Sequence, residues 1–226
     1  MDINKYNERV KVLNKIAELE KQGIFDVDPE DDPETIPLLP DQVDYLRKGK
    51  ISKIKAKLAT TVGKRFFLKM IDEGNVIIKE VIGQENFENI STGAIITSNH
   101  FNPFECFTVE YIFRNQEANK SKVLYKVIRE GNYTNFPGFY GYLFKNCYTL
   151  PLSSNHQTMK KMFDSIETIL KEGNFILIYP EQSMWWNYKK PKPLKDGAYR
   201  FAVKNNVPII PMFITMKETE KIGEDG

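Results

Sequence analysis

Two cysteines are the whole thiol complement of this 226-residue chain. Cys106 and Cys147 stand in apolar surroundings without a CxxC pair or Cys/His spacing, which excludes a structural zinc site and points to a reduced compartment. No apolar run approaches the roughly 18 residues of a membrane span. The opening stretch, Met1 to Lys15, lacks the apolar core of a signal peptide. Low-complexity tracts are absent. The net charge of +2 implies no polyanionic partner, so electrostatic partners must be sought in local clusters and no nucleic acid is expected. What remains is the composition of an ordinary globular protein, 41% hydrophobic and 27% charged, long enough for one α/β domain with a real core.

Residues 3–22 carry an apolar stripe (Tyr6, Val10, Leu13, Ile16, Leu19) at helical spacing, and Gly23 is a natural stop. Residues 26–40 are acidic and punctuated by proline, the pattern of an extended linker. Between Arg47 and Ile71 cations alternate with Ile51, Ile54, Leu58, Val62, Phe66 and Phe67, and no acid interrupts them. That is a basic amphipathic helix, suited either to a surface of anionic lipid or to a solvated face packed on the domain. Strands are expected at 75–81, 94–99, 122–128, 147–152, 175–180 and 207–214. Helices are expected at 103–115, from a Ser153 or Ser154 cap to Lys171, and at 197–206, with a loop over 131–144. In the helix ending at Lys171, Met159, Met162, Phe163, Ile166, Ile169 and Leu170 would face inward. This alternation predicts an α/β fold: a mostly parallel central sheet flanked by helices, preceded by an N-terminal helical segment. The division expected is 1–72 helical, 73–215 the α/β domain and 216–226 a polar tail or truncation.

The chemistry concentrates where a buried strand turns into a helix, at Ser98-Asn99-His100-Phe101-Asn102-Pro103-Phe104-Glu105. Asn102 suits an N-cap, Pro103 the first helical position, and Glu105 then falls at the third. His100 lies level with the positive end of that helix, where the field favours a neutral imidazole able to accept a proton. The turn lets the Glu105 carboxylate fold back to Nδ1 and leaves Nε2 free. This is the orienting logic of a Ser-His-Asp triad in which the acceptor's own hydroxyl replaces the serine. Asn-x-x-Glu is equally a capping box, in which Glu105 bonds only backbone. His156, near a helix start, reads as an exposed helix residue.

A second segment, Tyr179 to Trp186, ends an apolar strand at Pro180-Glu181, where α/β sites form. Glu181 is suited to positioning a substrate hydroxyl. Trp185 and Trp186 are suited either to lining a lipid groove or to packing, beside Lys189, Lys190, Lys192 and Lys195.

In order and spacing these segments resemble the lysophospholipid and glycerol-phosphate acyltransferase superfamily over about residues 75–215. Its His-x4-Asp motif is matched by His100 and Glu105. Its Phe-Pro-Glu-Gly-Thr-Arg is matched by Tyr179 to Met184, its Lys-x-Gly-Ala by Lys195 to Ala198, and its Val-Pro-Ile-Val-Pro strand by Val207 to Pro211. The resemblance implies acyl transfer from acyl-CoA or acyl carrier protein to a glycerolipid hydroxyl, with no metal and no cofactor. It implies His100 and Glu105 as the catalytic pair. With the residue reading above, it makes Asn102, Glu181, Gln182, Ser183, Trp185, Trp186, Lys195 and Gly197 the candidate substrate-binding residues. Departures are the glutamate in place of aspartate, Gln182 for glycine, Met184 for arginine, and no arginine in Cys147 to Ser153 where the second motif carries one. Arginine's planar fork suits phosphate, so its loss favours a lysophospholipid with a larger head group, or a glycolipid, over a bare phosphomonoester. The expected location is the cytoplasm, peripheral on the inner face of a membrane. Two other readings are a lipid-binding relative with degraded chemistry and a hydrolase that passes the acyl group to water.

Overall fold

A computed structural model describes residues 3–30, 34–218 and 220. Residues 31–33 of the acidic segment, and 219 and 221–226 of the expected tail, lie outside the described residues.

Five short strands, β1 (Ala94–Thr97), β2 (Leu124–Ile128), β3 (Thr149–Pro151), β4 (Phe175–Ile178) and β5 (Ile209–Pro211), form one parallel sheet in the order β3-β2-β4-β1-β5. The strands are continuous apolar runs because helices cover both faces. Successive residues alternate sides: Ile95, Tyr125, Leu150 and Ile176 enter one core cluster, and Ala94, Ile96, Leu124, Phe175 and Leu177 the other. The first face is covered by α6 (His156–Lys171) through Met162, Ile166, Ile169 and Leu170, and by α7 (Gly197–Asn205) through Ala198 and Ala202. The second is covered by α3 (Glu105–Asn115) through Val109, Ile112 and Phe113. Each such Ile, Leu or Phe contributes about 1.5–3 kcal/mol relative to exposure. An α/β fold with an N-terminal helix, α1 (Ile3–Gln22), is what the periodicity predicts.

Several local expectations are corrected. Residues 75–81 form no strand: Asn75 and Val76 donate back to the Met70 carbonyl at the end of α2 (Lys50–Asp72), and Ile77 is exposed. The 131–144 loop is two helices, α4 (Glu130–Thr134) and α5 (Gly138–Asn146). Their junction needs Gly141, because a Cβ there would stand 1.8 Å from the Phe136 carbonyl oxygen. The cap of α6 is Asn155, whose Oδ1 accepts from Gln157 and Thr158 N–H, in place of Ser153 or Ser154. Ser153 instead donates to Leu38 and Glu130, and Ser154 N–H donates to Glu130. Phe163 is half out of the core, against Phe201.

The described residues 34–39 of the proline-rich segment are extended but docked. Leu38 is buried, its N–H donates to Glu130 Oε1, and its carbonyl accepts from Thr158. Tyr45 is buried and its hydroxyl donates to the Pro151 carbonyl. The basic helix α2 buries Ala56, Ala59, Gly63 and Phe67 against α5 and α3 and leaves Ile51, Ile54, Leu58 and Val62 exposed.

Candidate active site

Strands β1 and β4 are neighbours, with Thr97 paired to Ile178. Residues 98–100 and 179–181 therefore leave the sheet side by side at its carboxyl edge, where α/β folds build their sites. Asn99 ties this end to the chain beyond β5: its Nδ2 donates to the Ile214 carbonyl at 3.0 Å and its Oδ1 accepts Ile214 N–H at 2.9 Å.

His100 and Glu105 meet. The imidazole Nδ1 hydrogen-bonds to Glu105 Oε1. The other carboxylate oxygen, Oε2, accepts the Phe101 N–H at 2.7 Å and the Asn102 N–H at 3.0 Å. Glu105 thus does the backbone bonding of a cap and holds the histidine at once. A carboxylate accepts, so in the neutral imidazole Nδ1 carries the proton and Nε2 keeps the lone pair. The Glu105 side chain is 1% exposed and that of His100 23%, so the carboxylate is shielded while the ring edge stays accessible. The helix start differs from expectation: the N-cap is Phe104 and Glu105 is the first residue of α3. Asn102 makes a tight turn instead, its Oδ1 accepting the Phe104 N–H at 2.9 Å.

Of the protein nucleophiles nearby, Cys106 and Ser183 are disarmed. Loss of water around Cys106 pushes its thiol up to about 12, and Ser183 Oγ donates to the Phe25 carbonyl. The Tyr179 ring lies on the imidazole, and burial followed by the Glu105 charge holds its phenol well above the usual range.

The 181–187 turn brackets the histidine. Glu181 Oε2 accepts the His100 N–H at 3.1 Å and Oε1 accepts the Lys192 N–H at 3.2 Å, so this buried carboxylate faces the backbone and not an open substrate cleft. Trp185 N–H donates to the His100 carbonyl, and Asn187 N–H to that of Phe101. Gln182 is exposed with φ +64, a left-handed turn that a glycine would adopt without strain.

Trp185, expected beside a groove, is fully buried. It stacks on Phe25 at 5.4 Å, and its indole N–H donates to the Val27 carbonyl. Trp186 is half-buried with the Arg9 guanidinium 4.6 Å over its ring. Lys195 N–H donates to the Pro180 carbonyl while its ammonium lies 3.5 Å from Asp26. Lys189 pairs with Glu218 and Lys190 with Glu20. Gly197 begins α7 in open space.

Three contributors escaped the sequence reading: the Tyr179 stack, the buried Lys192, and residues 25–28 lying over the 181–195 loop. Only Tyr179 left a signal, an aromatic residue ending the strand beside the histidine's own. Lys192 sits in a Lys-Pro-Lys-Pro run that reads as solvated loop.

A family model described as Acyltransferase matches residues 79–215, more than half of the chain. No curated protein matches the sequence.

Proposed function

The chain belongs to the Acyltransferase family, and on that premise we propose that it moves a fatty acyl group from a thioester donor, acyl-CoA or acyl carrier protein, to a hydroxyl of a lysophospholipid or related glycerolipid or glycolipid. The observation that carries this reading is the His100–Glu105 pair, with one imidazole nitrogen held by a shielded carboxylate and the ring edge accessible. Nε2 takes the acceptor's hydroxyl proton as the oxygen attacks the thioester carbonyl. Glu105 stabilises the imidazolium that forms. Collapse of the tetrahedral intermediate breaks the C–S bond, and the leaving thiolate takes the proton back from Nε2. No protein nucleophile is required, in keeping with the raised Cys106 thiol and the engaged Ser183 hydroxyl.

The acceptor class follows from the cations. Lys189, Lys190 and Lys195, the loop lysines that would have to stand in for the missing arginines, each already face a carboxylate. A bare phosphomonoester would compete with those acids for point charges. An acceptor with a larger head group has no such demand.

A lipid acceptor places the protein on a bilayer surface. The support is α2: Ile51, Ile54, Leu58 and Val62 form an outward stripe flanked by Lys50, Lys53, Lys55 and Lys57, a face complementary to anionic lipid. Exposed Phe139 and Tyr140 of α5 continue it through Phe66.

The test is an acyl-transfer screen with His100→Ala as control. Acylated lipid from the wild type and none from the variant supports the reading. Thioester consumption without acylated lipid indicates hydrolysis, and no turnover with any acceptor indicates a binding protein. A clean preference for lysophosphatidic acid would overturn the acceptor class.

A further inference from the structure

Lys192 is buried to an extent rare for an ammonium, its side chain 1% exposed. A charge taken out of water is costly unless compensating groups surround it. Its contact partners all lie in one turn, and the Asp28 and Glu105 carboxylates favour the charge from farther off. The ammonium stands 3.7 Å from Glu181 Oε2, donates to the Ser183 carbonyl, lies 3.3 Å from Ser183 Oγ, and sits 5.1 Å over the Trp185 ring.

That turn holds the histidine's main chain from both sides: Glu181 takes the His100 N–H, and Trp185 N–H donates to the His100 carbonyl. The turn also carries a strained residue, since Gln182 at φ +64 holds a left-handed backbone that residues with a Cβ disfavour. Such a turn keeps its shape only if tertiary contacts fix it.

We infer that Lys192 is a positioning residue for His100, its ammonium locking the 181–185 turn whose Glu181 and Trp185 hold the histidine's peptide groups. Lys192 touches no reacting atom. It acts through Glu181, which without the ammonium is a buried carboxylate lacking its cation and no longer fixed at the His100 N–H. The catalytic consequence rests on the acyl-transfer reading above; the structural one does not.

The experiment therefore reads both. Lys192→Met, Glu181→Gln and the double variant are followed by residue-resolved amide hydrogen exchange and by transfer kinetics. In Lys192→Met the His100 amide exchanges about tenfold or more faster than in wild type, while the β1 amides of Ile95 and Ile96 keep their protection. Transfer kcat falls by about tenfold or more with KM for donor and acceptor within about twofold, as for a misplaced base with intact binding sites. The double variant is no worse than the poorer single, because both changes break one linkage. Wild-type protection of the His100 amide in Lys192→Met, or single effects that multiply in the double, overturns the inference. Should Lys192→Met fail to fold, the double variant, which leaves neither charge buried, carries the same two expectations, and wild-type protection at His100 in it refutes them. If the wild type turns over no thioester, the acyl-transfer reading fails, and the exchange data still decide whether Lys192 holds His100.

Discussion

The rings of His100 and Tyr179 lie parallel, with centroids 4.1 Å apart and planes 11° from each other. The carboxylate fixes one edge of the imidazole, and the tyrosine fixes its plane. The Tyr179 hydroxyl is buried and has no hydrogen-bond partner among the described residues. Ring and hydroxyl therefore separate experimentally. Tyr179→Phe keeps the stack and removes an unsatisfied polar atom, so the variant is as stable as wild type or up to about 1 kcal/mol more stable, with kcat unchanged. Tyr179→Leu loses the flat surface, and kcat falls about tenfold or more with little change in KM. Thermal unfolding and steady-state kinetics check both.

Glu105 spans two duties with its two oxygens, so changes of length and of charge diverge. Glu105→Gln retains an acceptor but no charge, and the imidazolium loses its partner. Its kcat falls by about 10²–10⁴, while stability drops by only about 1–3 kcal/mol. Glu105→Asp keeps the charge but withdraws it by one methylene from either His100 Nδ1 or the Phe101 and Asn102 amides. We expect about a tenfold loss of kcat. Full activity of Glu105→Asp would show that this backbone accepts the family's shorter residue unchanged.

A pH-dependent tie sits at Glu130. Burial opposes its ionisation, but donors at Leu38 N–H, Ser153 and Ser154 outweigh that and hold its carboxyl below the ordinary 4.5. A lowered folded-state pKa means stability that is fully present above the unfolded value and lost as pH falls through the folded one. Glu130→Gln should cost about 1.5–3 kcal/mol at pH 7. The gap to wild type should shrink as the pH drops below about 4.5. Denaturant titrations at neutral and acidic pH measure it, and a constant gap would refute it.

The stripe on α2 is separable from the fold. Ile54 is 61% and Leu58 57% exposed, so Ile54→Asp with Leu58→Asp should leave the thermal midpoint nearly unchanged, surface changes being worth about ±0.5 kcal/mol each. Binding to vesicles containing phosphatidylserine should be lost. Wild type should bind phosphatidylcholine vesicles more weakly, and that difference should disappear in high salt. Equal vesicle binding by variant and wild type would refute the bilayer role.

Sequence alone determined what depends on neighbours along the chain. The apolar runs of β1, β4 and β5 and the stripe of α6 report burial and period directly, so sheet, helices and the strand-to-helix turn at His100 were legible. The His-x4-Glu spacing across a turn was enough to bring Nδ1 to the carboxylate, since that contact is local. Helix caps were less legible because side-chain donors have choices: Ser153 and Ser154 bond to Glu130 in place of capping α6, and Asn155 takes the cap.

Only the tertiary structure decided what the polar and aromatic side chains of the 181–195 loop face. Lysine in a proline-rich run and tryptophan beside it look like surface in any local window. The arm at residues 25–28 and the His100 backbone arrive from about 158 and 85 positions away to bury Trp185 and surround the turn that Lys192 locks. Local pattern records which groups are apolar. It does not record which distant backbone will compensate a buried charge, and that compensation is what fixes the frame around His100.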